Sequence, residues 1–211
     1  RRQRQMCIRD RHEGVKGTVT EDFRGILVHD HEITFYRYGS AHQECLAHVE
    51  RYLKDSMENE SSLTWNRRMR ELLQRMIHYR KEHTGEASLD AQTVAGFETE
   101  YQEILDKAKE EYKRNEPSPY YREGYNLYRR MQEYKTEHLL FLHDMRVPTT
   151  NNTAERCLRD YKRKQTFAMT FRSLESIEEL CHSKGVLLEV RKNNPNIYTA
   201  VMEIFNRRYG A

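Results

Sequence analysis

Two acids, far apart in the chain, stand where a carboxylate can do chemistry. Asp30 follows the apolar run from Phe23 to Val28 by way of His29. That run has a β-branched bias and reads as a short buried strand, which puts Asp30 at its C-terminal end, the edge where α/β sheets present ligands. A plain turn or cap residue is the simpler role for one aspartate there. Glu155 lies in the stretch Val147-Pro148-Thr149-Thr150-Asn151-Asn152-Thr153-Ala154-Glu155-Arg156-Cys157-Leu158-Arg159. Pro148 stops whatever precedes it, and the Thr and Asn residues are of the types that cap helix N-termini. In a helix starting near Asn152, at roughly 100° per residue, Ala154, Cys157, Leu158 and Tyr161 share one arc. Glu155, Arg156, Arg159, Lys162 and Arg163 share the other. From Arg156 to Arg172 there are six Lys or Arg, the last two being Lys164 and Arg172, against the single acid Asp160. Such an excess can follow a phosphate backbone, or it can be a solvated helix face. Asn152 with Glu155 also makes a capping box, and Glu155 with Arg159 an i,i+4 ion pair, with no further chemistry implied.

The elements that must position these residues belong to a polar chain. Its 211 residues suffice for one domain, or one domain with an insertion. A third of the residues are charged (33%) and the net charge is only +3, so the distribution of charge says more than its sum. The mean hydropathy is −1.00, and no apolar run approaches the ~20 residues that cross a bilayer. No secretory signal is apparent. Cys7, Cys45, Cys157 and Cys181 are too widely spaced for a disulfide framework, which fits a reducing cytoplasm. Residues 1–22 have no strand or helix period. They read as a disordered basic arm or as non-native sequence, because Met6 to Arg11, MCIRDR, looks like a translated sequencing adapter.

Glu32 to Tyr38 reads as a short aromatic helix or turn closed by Gly39-Ser40. Ala41 to Ala47 reads either as a second strand or as the start of a helix running on through Val49, Tyr52 and Leu53. His42, Cys45 and His48 are spaced by three and suggest zinc, but a structural zinc usually takes four ligands, and a packed Cys beside a hydrogen-bonded His is the better reading. Residues 59–146 are predicted to be helical. One face carries Trp65, Met69, Leu72, Leu73 and Met76. A second carries Val94, Phe97, Tyr101, Ile104, Leu105, Ala108 and Tyr112, starting at Ser88 or Asp90. A third carries Tyr125, Tyr128, Met131, His138, Leu139 and Leu142. Helices of this length pack as an antiparallel bundle. Beyond residue 172, Ser173 caps a helix that Gly185 weakens or ends, and a last helix follows Asn193-Asn194-Pro195-Asn196.

The stretch VPTTNNTAERCLRDYKRKQ resembles the signature of bacterial DDE transposases of the insertion sequence sixty-six family, in which an asparagine pair precedes Ala-Glu-Arg and that glutamate is the last catalytic acid. A second block, FRGILVHDHEITFYRYGSAHQECLAH, is similar to the family's strand ending in aspartate with Cys-x-x-His after it; Phe171 to Ser173 also resembles the family. The resemblance implies Asp30 and Glu155 as catalytic metal ligands for Mg²⁺ or Mn²⁺. It further implies Arg156, Arg159, Lys162, Arg163, Lys164 and Arg172 as DNA contacts, and Asn151, Asn152, Cys45 and His48 in supporting roles. The fold it implies is α/β, here mostly α: a partial RNase H-like domain, with short strands near residues 23–29 and 41–47, and a helical-bundle insertion. Domain bounds follow as residues 1–22, 23–58, 59–146 and 147–211. The implied activity is metal-dependent cleavage and transfer of transposon ends. The partners are duplex DNA, at transposon ends and target, and a second copy of the chain as homo-oligomer; the place is the bacterial cytoplasm, at the nucleoid. The first catalytic aspartate should lie well upstream of Asp30, and neither Asp10 nor Asp22 fits, so the chain is expected to be a fragment lacking it. The alternative is a non-enzymatic helical DNA-binding or scaffold protein that uses Glu155 only as a cap.

Overall fold

In a computed structural model of the chain, the described residues are 15–156, 159, 163, 173–193 and 196–209. The chain divides into two compact units, Arg1–Thr153 and Ala154–Ala211. The first unit opens with a one-turn helix, α1 (Val19–Asp22), then two four-residue strands, β1 (Ile26–His29) and β2 (Ala41–Glu44). They pair in parallel, with Ile26 opposite Ala41 and His29 opposite Glu44. A parallel pair needs a crossover, usually of a dozen or more residues built on an α-helix. Here residues 30–40 make it with one 3-10 turn, Ile33–Arg37. The return is tight. Ser40 N donates to the Gly25 carbonyl (2.9 Å), and Gly39 has φ +75°, with an added Cβ falling 2.8 Å from that same oxygen.

Both strands are shorter than the predicted 23–29 and 41–47. Cys45 N adds one more bond to the His29 carbonyl (2.8 Å), and the helix α2 (Leu46–Asn59) starts at once. This decides the strand-or-helix alternative over residues 41–47: strand to Glu44, helix from Leu46.

The remaining helices of this unit are α3 (Trp65–Glu82), α4 (Ala91–Arg114), α5 (Glu123–Glu133) and α6 (Lys135–His143). Helix α2 packs on α3 and α5, α4 packs on α3 and α5, and α6 packs on β2. The periodic faces form the core: Trp65, Met69, Leu72, Leu73, Met76, Tyr101 and Ile104 are all fully buried. Asp90 caps α4, accepting from Thr93 N (2.7 Å). Helix α3 has no cap of its own. Glu111, on α4, accepts from Thr64 N (2.9 Å) and Trp65 N (3.2 Å), so one carboxylate meets the N-terminal amides of α3 and ties two helices together.

The third apolar face is not one helix. It breaks at Tyr134 (φ −112°, ψ 37°) into α5 and α6. Both halves contribute to one core, Leu127 and Met131 from α5 and Leu139, Phe141 and Leu142 from α6, and α6 in addition lies on β2. There the buried Gln43 side chain donates to the His138 carbonyl (3.2 Å) and accepts from Phe141 N (2.8 Å).

In the second unit α7 (Leu174–Asn193) packs on α8 (Ile197–Tyr209). Ser173 Oγ accepts from Ser176 N (3.2 Å), as its capping role requires, and α7 runs unbroken through Gly185. Among the described residues no helix is long and apolar enough to cross a membrane.

Two glycines give stability changes of opposite sign. Gly39→Ala should destabilise by about 2 kcal/mol, since a left-handed residue with a Cβ costs roughly 1–2 kcal/mol before the clash is added. Gly96 is exposed inside α4 with nothing within 4 Å of an added Cβ. Gly96→Ala should therefore stabilise by about 0.5–1 kcal/mol. Urea unfolding midpoints of the two variants check both signs.

Candidate functional site

The first acid of interest is fixed by its backbone. Asp30 follows β1 directly and its side chain is exposed. His29, almost fully buried, donates from Nδ1 to the Asp30 carbonyl (2.6 Å), and Glu32 N donates to the same oxygen. The His29 ring is held edge-on against Tyr36 (centroids 4.9 Å apart, 86° between planes), and its Nε2 lies 3.3 Å from His42 Nδ1. The chain thus presents the Asp30 carboxylate to solvent from a pinned main chain.

The second strand ends in an acid of the opposite kind. Glu44 is 1% exposed. One carboxylate oxygen, Oε1, accepts from His31 Nδ1 (2.6 Å) and from Tyr36 OH (2.6 Å). The other, Oε2, accepts from His138 Nε2 (3.0 Å) and pairs with Arg130 Nε at 3.3 Å. Behind His138, Tyr101 OH donates to the Met131 carbonyl (3.1 Å) and lies 3.1 Å from His138 Nδ1. Burial by itself raises the Glu44 carboxyl. The hydrogen bonds from His138 and His31 and the charges of His138 and Arg130 outweigh burial and hold it below the ordinary carboxylate range. The same carboxylate, after burial, pushes the Tyr36 hydroxyl well up. His31 is the residue next to Asp30, so this network reaches from the exposed strand end into α5 and α6.

Spacing in the sequence marks none of Glu44, Arg130 and His138 as a site residue. The signal was thin: three consecutive polar residues, His42 to Glu44, in a segment that otherwise reads as a strand.

Cys45, fully buried, is the N-cap residue of α2, and its carbonyl accepts from His48 N (3.0 Å); His48 is half-buried. Among the described residues no group of three or more His, Cys, Asp or Glu is arranged to hold a metal ion, and the zinc pattern of His42, Cys45 and His48 makes no such cluster. In the signature segment, residues 152–156 are helical, as are 159 and 163. Glu155 is half-buried, and Arg156, Arg159 and Arg163 are exposed. The Asn151 side-chain oxygen is buried without a hydrogen-bond partner among the described residues, and Asn152 is exposed. Asp30 belongs to the first unit and Glu155 to the second. Lys162, Lys164 and Arg172 lie outside the described residues.

Removing one member of a buried charge network leaves the others uncompensated, so Glu44→Gln should destabilise by about 3 kcal/mol at neutral pH. The folded carboxyl titrates below the unfolded one. Its stabilisation is therefore present in full above the unfolded value of about 4.3 and is lost as pH falls further. Urea unfolding from pH 7 downward should show the gap between wild type and variant narrowing below about pH 4. A gap independent of pH would mean that Glu44 contributes packing rather than charge.

The comparisons with known proteins are consistent with the two signature segments. The model of the transposase IS66 family matches residues 6–179, which include both Asp30 and Glu155. No curated protein and no solved structure matches the chain. With well over half of its 211 residues matched, the chain belongs to the IS66 family of transposases.

Proposed function

We propose that the chain is a fragment of a DDE transposase that cleaves transposon ends and joins them to target DNA. The observation that carries this reading is the exposed carboxylate of Asp30, at the C-terminal end of a parallel strand in a chain of a transposase family. In this reading residues 23–58 and 147–211 are parts of an RNase H-like domain, and residues 59–146 are an insertion in it. Neither Asp22, which ends the short helix α1, nor Asp10, which lies outside the described residues, is assigned a catalytic role in this reading.

Asp30 and Glu155 are the metal ligands. Carboxylate oxygens suit a hard cation such as Mg²⁺ or Mn²⁺. Held by these carboxylates, a divalent cation would supply the positive charge that favours in-line displacement at a phosphodiester. The chain's own residues do the rest. Arg156, Arg159 and Arg163, with Lys162, Lys164 and Arg172, hold the phosphates of duplex DNA and set its register without reading bases. Asn151 and Asn152 support the start of the helix that carries Glu155, and Cys45 and His48 fix the turn from β2 into α2. The reaction takes place at the bacterial nucleoid, and a second copy of the chain is a fitting partner, because a transposon has two ends to join.

Mn²⁺ titration, followed by the loss of its free-ion paramagnetic resonance signal, tests the two acids as metal ligands. Asp30→Asn and Glu155→Gln should each weaken binding by about 10-fold or more, the scale at which lost metal-site partners act. Unchanged affinity in both would favour a helical DNA-binding or scaffold protein in which Glu155 is only a cap. The basic ridge has its own test. Arg159→Ala should lower the slope of log K against log salt for duplex DNA by about 1, uniformly across sequences.

A further inference from the structure

Away from the strands, α4 and α5 enclose a groove of about 420 Å³. Lys109 and Lys113 line it from α4, one turn apart, and Arg122 and Arg129 line it from the N-cap and middle of α5. All four are exposed, and no acidic residue lines the groove. Its floor is a packed aromatic cluster. The Tyr112 ring is 5.0 Å from Tyr125 and 5.4 Å from Tyr128, and Tyr112 and Tyr128 are buried. Rigid low-dielectric walls under four cations concentrate positive potential in the concavity. Lys113 pairs with Glu110 (2.6 Å) on the outer surface, an exposed i,i+3 contact of the kind a phosphate can replace.

The larger cleft of the same unit, about 550 Å³, is different: Asp55 and Glu123 line it together with Arg130 and His31. The carboxylates there also act on Tyr121, whose hydroxyl is pushed up to about 12 by burial first and then by Glu60, Asp55 and Glu123. A polyanion gains little at such a site. In the α4–α5 groove every lining charge has the same sign.

We propose that the groove between α4 and α5 is a second DNA-backbone site, in which Lys109, Lys113, Arg122 and Arg129 hold phosphates of duplex DNA apart from the basic segment that carries Glu155. The proposal rests on the transposase reading for the identity of its polyanion. Helix spacing sets Lys109 and Lys113 about 6 Å apart along α4, and the two arginines about 10 Å apart along α5, so the groove offers two rows of cations rather than one point charge. Contacts of this kind add affinity and salt dependence without sequence preference.

The test measures Kd for a 30-base-pair duplex against salt, using the full chain. Lys109→Ala/Lys113→Ala and Arg122→Ala/Arg129→Ala should each lower the slope of log K against log salt by about 2, and each should weaken binding roughly 10-fold or more at low salt. The charge-preserving Lys109→Arg/Lys113→Arg should keep the wild-type slope. Far-UV circular dichroism and the thermal midpoint should be unchanged in all three, because the residues are exposed. If both neutralised variants keep the wild-type slope while Arg159→Ala/Arg163→Ala lowers it, the groove proposal fails and the transposase reading stands. If the wild-type chain binds no duplex at any salt concentration, both fail.

Discussion

A carboxylate taken out of water must be met by donors and positive charge, and Glu44 imposes that constraint on the whole first unit. Its four partners come from three parts of the chain: His31 and Tyr36 from the strand crossover, Arg130 from α5, and His138 from α6. Sequence-distant elements are therefore fixed to the end of one short strand. If Arg130 or His138 were removed with the rest of the structure in place, Glu44 would be left buried beside a half-empty set of donors. This network ties the helices to the strands, alongside the packing of Ile26 and Val28 against the hydrophobic core.

The same economy appears around the strands. Two strands alone are marginal in water. Here Gln43 uses its amide to bond the backbone of α6, and α6 packs on β2. On one side of the break at Tyr134, α5 sets Leu127 and Met131 in the core; on the other, α6 sets the backbone of His138 and Phe141 against Gln43 of β2. Glu111 does a comparable job at the far end of the bundle, meeting the open amides of α3 from α4. Polar side chains thus set the geometry of the unit, and the apolar stripes fill the space between.

What was legible in the sequence was whatever repeats along one element. The stripe of Trp65, Met69, Leu72, Leu73 and Met76 repeats at helical spacing and became core. Asp90 stands just before a long stripe and became its cap. The β-branched run before Asp30 became a strand, shorter by three residues than the pattern suggests because pairing begins only after Gly25. The contacts between elements were not legible. His138 fits the apolar face of its helix by spacing, and nothing local says that its imidazole faces a carboxylate on a strand. The break at Tyr134 has no glycine or proline to announce it. Lys109 and Arg129 each look like ordinary solvated charges, and they become one groove only once α4 and α5 are side by side.

The two strand ends show how environment separates acids of one chemical type. Because β1 and β2 run parallel, Asp30 and Glu44 leave the sheet at the same edge. Glu44 has both oxygens occupied by donors from its own chain, so a cation could take it only by displacing histidine, tyrosine and arginine together. Asp30 keeps its backbone tied and its side chain in water. A carboxylate that is held in place yet still solvated can exchange water for a metal or a phosphate-bound ion at little cost in reorganisation, whereas one already saturated can only hold structure. The difference follows from surroundings: Glu44 is closed in by donors from the crossover, α5 and α6, and Asp30, one residue past β1, stays exposed.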